Sequence, residues 1–220
     1  DLGHVRRLCM PRPVENLTAS ASRSPDRTRR PRPRERILEA APQVLMRTGI
    51  VGFGLVEVAK EAGVSRQTIY NHFASRDDLL SELFAQEMRS IHLPIQQAIG
   101  SETPDPENIV RLLLAELEMG RNFPLFKDLL DPANAPRVAE LVFNSPVIDA
   151  IRDEAWLPIL ERYRAAGLLR ADLSLPETVR WITYQQFWFV THPGTICADN
   201  EAAVAQVIRT FILPALMLEH

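Results

Sequence analysis

Cysteine and lysine are nearly absent from this chain of 220 residues: Cys9 and Cys197 are the only cysteines, Lys60 and Lys127 the only lysines. Two distant cysteines make neither a disulfide framework nor a C-x-x-C metal or redox motif, and they point to a reducing cytoplasm. Long apolar runs are missing as well. The most apolar stretch, Trp181 to Val190, is interrupted by Thr183, Gln185 and Gln186. It is too short for a bilayer, which takes about 20 residues, so no membrane partner is expected. The basic N-terminal stretch has no apolar core behind it and does not read as a secretory signal. There is no H-E-x-x-H, no nucleophile elbow and no glycine-rich phosphate loop. His92, His192 and Cys197 are therefore expected to be structural or surface residues, and no catalytic residue, metal or cofactor is expected. Period-two alternation and Asn-Gly or Asp-Gly hairpin signals are also missing, which argues against a sheet.

What remains is a globular, all-α pattern. Apolar residues make up 46% of the chain, and 17 prolines punctuate segments of helical periodicity. Charge is unevenly spread. The net charge is −3, yet residues 1 to 36 carry ten arginines and four acids, a net of +6, against −9 for the rest. Three regions follow: an Arg/Pro-rich arm over 1–33, a compact helical head over 34–80, and a larger helical body over 81–218. The arm cannot bury much apolar surface. Its residues 1–22 read as a solvated tail. Arg27, Arg29, Arg30, Arg32 and Arg34 read as a cationic stretch suited to phosphates or a minor groove, because they adjoin the head.

Residues 53 to 80, FGLVEVAKEAGVSRQTIYNHFASRDDLL, have the spacing of helix, tight turn and second helix. Helix one of the head is predicted from Arg34 to Thr48, with Pro42 bending it and Gly49 and Gly52 ending it. Val56, Val58, Ala59 and Ala62 supply the apolar stripe of the next helix. Gly63 stands where the chain turns, and Ser65 is a natural N-cap for the third. Val64, Ile69 and Phe73 pack inward. Arg66, Gln67, Thr68, Tyr70, Asn71 and His72 stay outside, a set of hydrogen-bonding and cationic tips suited to a major groove. A fourth helix starts at Ser75, with Asp77 and Asp78 at its positive end, and ends or bends near Pro94.

The run Val58 to Ser65, then Thr68 to Phe73, then Ser75 to Leu80, with Arg36 to Ala41 and Thr48-Gly49 upstream, resembles the DNA-binding domain of TetR-family transcriptional regulators. The likeness is specific over residues 34 to 90. It implies groove or phosphate contacts from Ser65, Arg66, Gln67 and Tyr70, a phosphate contact from Thr68, and Asn71 and His72 at the DNA backbone. Gly54 stands where the family has a Ser or Thr cap and lacks that hydroxyl. Arg76 replaces the usual Lys at a phosphate-contacting place. The resemblance further implies a dimer on double-stranded operator DNA and a small-molecule effector in the body.

In the body, the helix Trp181 to Val190 is aromatic on nearly every face and needs cover on all sides. With the final helix, carrying Val204, Val207, Ile208, Phe211, Ile212 and Leu216, it is expected to form a four-helix dimer contact. Phe123, Phe126, Phe143, Trp156, Tyr163, Trp181, Tyr184, Phe187 and Trp188 are candidates for a largely apolar ligand pocket, with Asn122, Arg121 and Gln185 as polar handles. Core packing competes with ligand contact for each of them. Two other functional classes stand beside a regulator: an all-helical enzyme, for which no acid–base or metal set is found, and a helical ligand-binding module without specific DNA binding.

Overall fold

Helix α1 (Pro33–Gly52) begins where the proline-rich arm stops. Proline at the first helical position has no N–H to satisfy, and the Arg32 N–H donates to Glu35 Oε2 at 2.8 Å. The computed structural model describes residues 31–99, 102–122, 131–192 and 200–218; Arg27, Arg29, Arg30, Phe123, Phe126 and Cys197 lie outside them. Within α1, Ile37, Ala41, Val44 and Leu45 are buried as the periodicity requires. The one departure from helical backbone inside α1 is at Gly49, with φ 66°, rather than at Pro42. The helix then resumes for a last turn to Gly52.

The α2 helix (Leu55–Glu61) buries Leu55, Val58 and Ala59, with Ala62 just beyond. Val56 is 39% exposed, so the inward stripe starts one residue earlier than the sequence pattern suggested. Gly63 carries φ 62°, and the Val64 N–H closes on the Ala59 carbonyl at 2.9 Å, which ends α2 with its last carbonyls satisfied. Helix α3 (Arg66–His72) is capped by Ser65, whose Oγ accepts from the Thr68 N–H at 3.0 Å. From α1, Arg36 Nη1 donates to the Gly63 carbonyl at 3.4 Å and pins the turn.

Ser75 and Asp78 start α4 (Arg76–Ile99) reciprocally: the Asp78 N–H donates to Ser75 Oγ at 3.0 Å, and the Ser75 N–H to Asp78 Oδ2 at 3.1 Å. The helix runs on through Pro94 to Ile99 instead of ending there. The body follows as α5 (Pro106–Asn122), a 3-10 turn (Pro132–Asn134), α6 (Ala135–Phe143), α7 (Pro146–Ala165) and α8 (Leu175–Thr191). It closes with α9 (Glu201–Val207), a π-helical turn (Ile208–Ile212) and α10 (Leu213–Leu216). The wide turn precedes Pro214, whose ring cannot fit against the carbonyl four residues back in a regular helix. Among the described residues there is no strand, only an isolated bridge between Leu169 and Met217. The all-α reading stands. Helix α4 packs on α1, α5, α6 and α7, and α8 packs on α5 and α7.

The body core is largely apolar, with Arg152 of α7 and a His–Glu pair as its buried charged groups among the described residues. His92 of α4 and Glu116 of α5, both nearly inaccessible, pair through Nδ1 and Oε1 at 2.6 Å. Gln186 Nε2 of α8 donates to the other Glu116 oxygen. Burial pulls the His92 pKa down, but the charge and hydrogen bond of Glu116 together outweigh it and leave the pKa raised.

Two outcomes are expected. At Gly63 a Cβ would meet nothing closer than Arg36 Nη1 at 3.9 Å, so Gly63→Ala carries only the left-handed backbone cost, about 1–2 kcal/mol. Thermal unfolding by circular dichroism should show a Tm lowered by several degrees, and an unchanged Tm would contradict the conformation of this turn. His92 gains proton affinity on folding. The stability it adds is therefore complete below its ordinary pKa of 6.5 and is lost as pH rises through the higher folded-state value. Urea unfolding from about pH 6.5 to about pH 9 should show the gap between wild type and His92→Asn narrowing with pH. A constant gap would mean that the ring is neutral throughout.

Candidate functional site

Helix α3 is held by its inner face and left bare on its outer one. Ile69 is fully buried and Phe73 nearly so, while Ser65, Arg66, Gln67, Tyr70, Asn71 and His72 are exposed and Thr68 is half-buried. Ile69 sits in the head core with Val44, Val58 and Leu79, so the outer face cannot turn without breaking that packing. Two local contacts order the polar tips. Gln67 Nε2 donates to Asn71 Oδ1 at 2.9 Å, one helical turn on. The Ser65 and Thr68 hydroxyls lie 2.8 Å apart at the N-terminus of the helix. The result is a short helix end with free N–H groups, hydroxyls, an amide pair, a phenol and Arg66 on one exposed surface. Those groups suit phosphate contact at the helix end and base-edge contact along it.

Not every residue expected at this surface is free for it. Arg76 is half-buried and donates through Nη2 to the Ile50 carbonyl at the end of α1. Arg34 pairs with Glu82 of α4 at 2.9 Å and lies over the Phe73 ring at 5.6 Å. Both arginines thus join α1 to the start of α4. Arg32 is exposed at the N-cap of α1. Gly54 is the N-cap of α2 with an extended φ of −149° and no side-chain cap, and a Cβ there would meet Glu57 Oε2 at 2.5 Å.

Among the described residues, the aromatic side chains singled out in the body do not all gather around one space. Trp156 is 1% exposed and Tyr163 bridges to the backbone of Asp105, its Oη donating to the carbonyl at 2.7 Å. Phe143 stacks on Tyr184 at 3.9 Å between centroids. Trp188, an exposed residue, stacks on His192 at 3.9 Å. Trp181 and Gln185 are half-buried on α8, Asn122 is the last residue of α5, and Arg121 Nη2 donates to the Phe189 carbonyl at 3.1 Å.

The apolar cavity lies elsewhere, between α4, α5, α6 and α8. It measures about 130 Å³, and its walls include Phe84, Met88, Val138, Val142, Phe187 and Val190. Of the aromatic candidates among the described residues, Phe187 lines it. Its polar members are His92, Glu116, Thr183 and Gln186. Their signal in the sequence is a broken period: His92 follows Phe84 and Met88 at four-residue steps, and Glu116 falls seven residues after Ile109 in an otherwise apolar run. A larger cleft, about 560 Å³, separates the head from α6 and α7; its lining includes His72 and the charged groups Arg34, Asp77, Glu82 and Arg137. Arg137 of α6 spans it to Asp77 and also pairs with Glu140 at 2.6 Å.

Comparison with known proteins bears on this geometry. Residues 37–83 match the family described as bacterial regulatory proteins, tetR family. An HTH-type transcriptional regulator of Mycobacterium tuberculosis is 27% identical over 185 residues, covering 82% of this chain and 86% of that protein. A tetR-family transcription regulator from Shewanella sp. PV-4 superposes with a TM-score of 0.58 at 23% identity, over 86% of this chain and all of that one. The R. erythropolis transcriptional repressor QsdR superposes with a TM-score of 0.59 at 20% identity, over 86% of this chain and 97% of that one. These two likenesses concern the fold. The family match over residues 37–83, which hold the capped helix-turn-helix and its bare polar face, supports a TetR-like DNA-binding transcriptional regulator.

Proposed function

We propose that the protein binds a palindromic operator as a homodimer, acts as a repressor in the cytoplasm, and is released by a small, largely apolar effector held in the body. The observation that carries this is the exposed polar face of α3, fixed from behind by Ile69. In this reading α3 enters the major groove. Arg66 and Gln67 are its base readers, Ser65, Thr68 and Tyr70 contact groove or phosphate, and Asn71 and His72 lie along the DNA backbone. Two copies of α3 have to stand one DNA turn apart, roughly 34–36 Å, to read both half-sites.

Support for the dimer comes from the last two helical segments. Tyr184 and Trp188 on α8 and Phe211 in the π-helical turn are among the largest exposed apolar side chains of the body. Aromatic groups left bare on these segments fit burial against a second copy. QsdR, named a transcriptional repressor, shares the fold, and the repressor role of this chain is a reading alongside it.

Support for effector control comes from α4. Its first turn carries Asp77, paired with Arg137 of α6. Further along, Phe84, Met88 and His92 form one wall of the cavity, while Val138 and Val142 of α6 form another. A guest between these helices bears on both elements that hold the head. The shift in DNA affinity is limited to the difference in its affinity for the two dimer spacings.

Tyr70→Ala should abolish operator binding in a gel shift while light scattering still shows two copies per particle. Retained specific binding would remove α3 from the groove. Deleting residues 1–33 should weaken binding and flatten its salt dependence, with the same preferred site. The log–log slope should fall by about 0.9 for each phosphate that the shortened chain no longer neutralises. An unchanged slope would exclude the arginine arm from the DNA.

A further inference from the structure

The polar part of the cavity has a hydrogen-bonding inventory that restricts what can sit beside it. Glu116 uses one carboxylate oxygen on His92 Nδ1 and the other on Gln186 Nε2. The Thr183 hydroxyl donates to the Val179 carbonyl of its own helix at 2.9 Å. What remains for a guest is His92 Nε2, the rest of the Gln186 amide (one N–H and the carbonyl oxygen), and the spare lone pairs of the Glu116 carboxylate and Thr183 Oγ, which can only accept. Charge restricts the guest further. An ionised His92–Glu116 pair is neutral as a unit, and both residues are withdrawn from water. A carboxylate entering here brings a second negative charge next to Glu116, and an ammonium brings a second positive charge next to His92. A carboxylate leaves an unbalanced charge, and an ammonium is balanced only if His92 gives up its proton and with it the ion pair to Glu116. The remaining walls offer only hydrocarbon.

We propose that the effector is an uncharged amphipathic molecule, with a carbonyl or hydroxyl oxygen hydrogen-bonded to His92 Nε2 and the Gln186 amide and a hydrocarbon part between Phe84, Met88, Val138 and Phe187. A cavity of about 130 Å³ takes one six-membered ring or a short chain, since about 150 Å³ is enough for benzene. The proposal rests on the reading of this cavity as the effector site. It sharpens that reading from an apolar ligand to one with a single neutral oxygen at a fixed end. His92 and Glu116 then have two roles, closing the body core across α4 and α5 and setting the polarity that a guest must match.

The test uses the full-length protein free of DNA and three probes that share one six-membered ring: cyclohexanone, cyclohexanecarboxylate and cyclohexylammonium. Ligand-observed saturation-transfer NMR should rank cyclohexanone about tenfold tighter than either ion. Gln186→Leu and His92→Leu should each weaken cyclohexanone about tenfold, the size of one hydrogen bond removed. The ranking on the wild-type protein and the Gln186→Leu result stand even if His92→Leu fails to fold. Equal or tighter binding of the carboxylate, no binding of cyclohexanone, or cyclohexanone affinity unchanged by Gln186→Leu would overturn the proposal. Operator binding is read separately by gel shift. Intact operator binding with the wrong probe order rejects the ligand chemistry alone. Failed operator binding with the right probe order rejects the regulator reading and leaves the site.

Discussion

Helix α4 is shared between two hydrophobic cores, and the rest of the structure depends on that sharing. Near its start, Leu79 and Leu80 are fully buried, where α4 meets α1. Further on, Leu83, Phe84 and Ala85 are buried and the helix packs on α5 and α7. A helix with two partners cannot shift against one without straining the other, because packed cores resist continuous deformation. The ionic contacts follow the same line. Arg34–Glu82 and Arg76 on the Ile50 carbonyl fasten α4 to α1, and Arg137–Asp77 fastens it to α6. Arginine suits these joints: its planar, permanently charged fork reaches carboxylates and carbonyls at fixed geometry, which a lysine does not.

Charge separates the labour of binding DNA. The chain as a whole is acidic, and residues 37 to 90 hold five basic and seven acidic side chains. With Arg76 and Arg34 engaged internally, the exposed face of α3 presents Arg66 with neutral hydrogen-bonding groups. A face of that kind suits register and sequence reading more than bulk phosphate attraction. The arginines before α1 are the densest remaining run of positive charge, which is why the proposed reading assigns them the phosphate attraction.

Much of the head was legible from residues 36 to 80, because its signals are local. Ser65, Gly63 and the Ser75–Asp78 pair act within four residues of themselves, and each is found in the role its type predicts. Boundaries were less legible. Pro42 and Pro94 read as bends or stops, yet helices continue through both, and the break in α1 falls at Gly49. A proline removes one hydrogen bond, which tertiary packing tolerates, whereas a left-handed glycine redirects the chain. Val56 and Leu55 are both apolar, and only the docking of α2 on α1 decides that Leu55 faces inward.

The body shows the opposite balance. Helical periodicity located its helices, and Trp181 to Val190 stood out as unusually aromatic. Periodicity cannot tell which aromatic is core, which is surface and which lines a space, because the answer depends on three or four helices meeting. Trp156 is enclosed, Trp188 is exposed, and the cavity wall includes Phe84 and Phe187 instead. His92, Glu116 and Gln186 lie 24 and 70 residues apart along the chain. Each alone is an ordinary polar residue on an apolar helix face. The sequence by itself determined the all-helical class, the helix-turn-helix and the charge asymmetry, since these rest on spacing, caps and composition within short windows. Only the tertiary structure decided the cavity, its buried polar triad and the arginine joints of α4, since each is made by side chains that the fold brings together from distant helices.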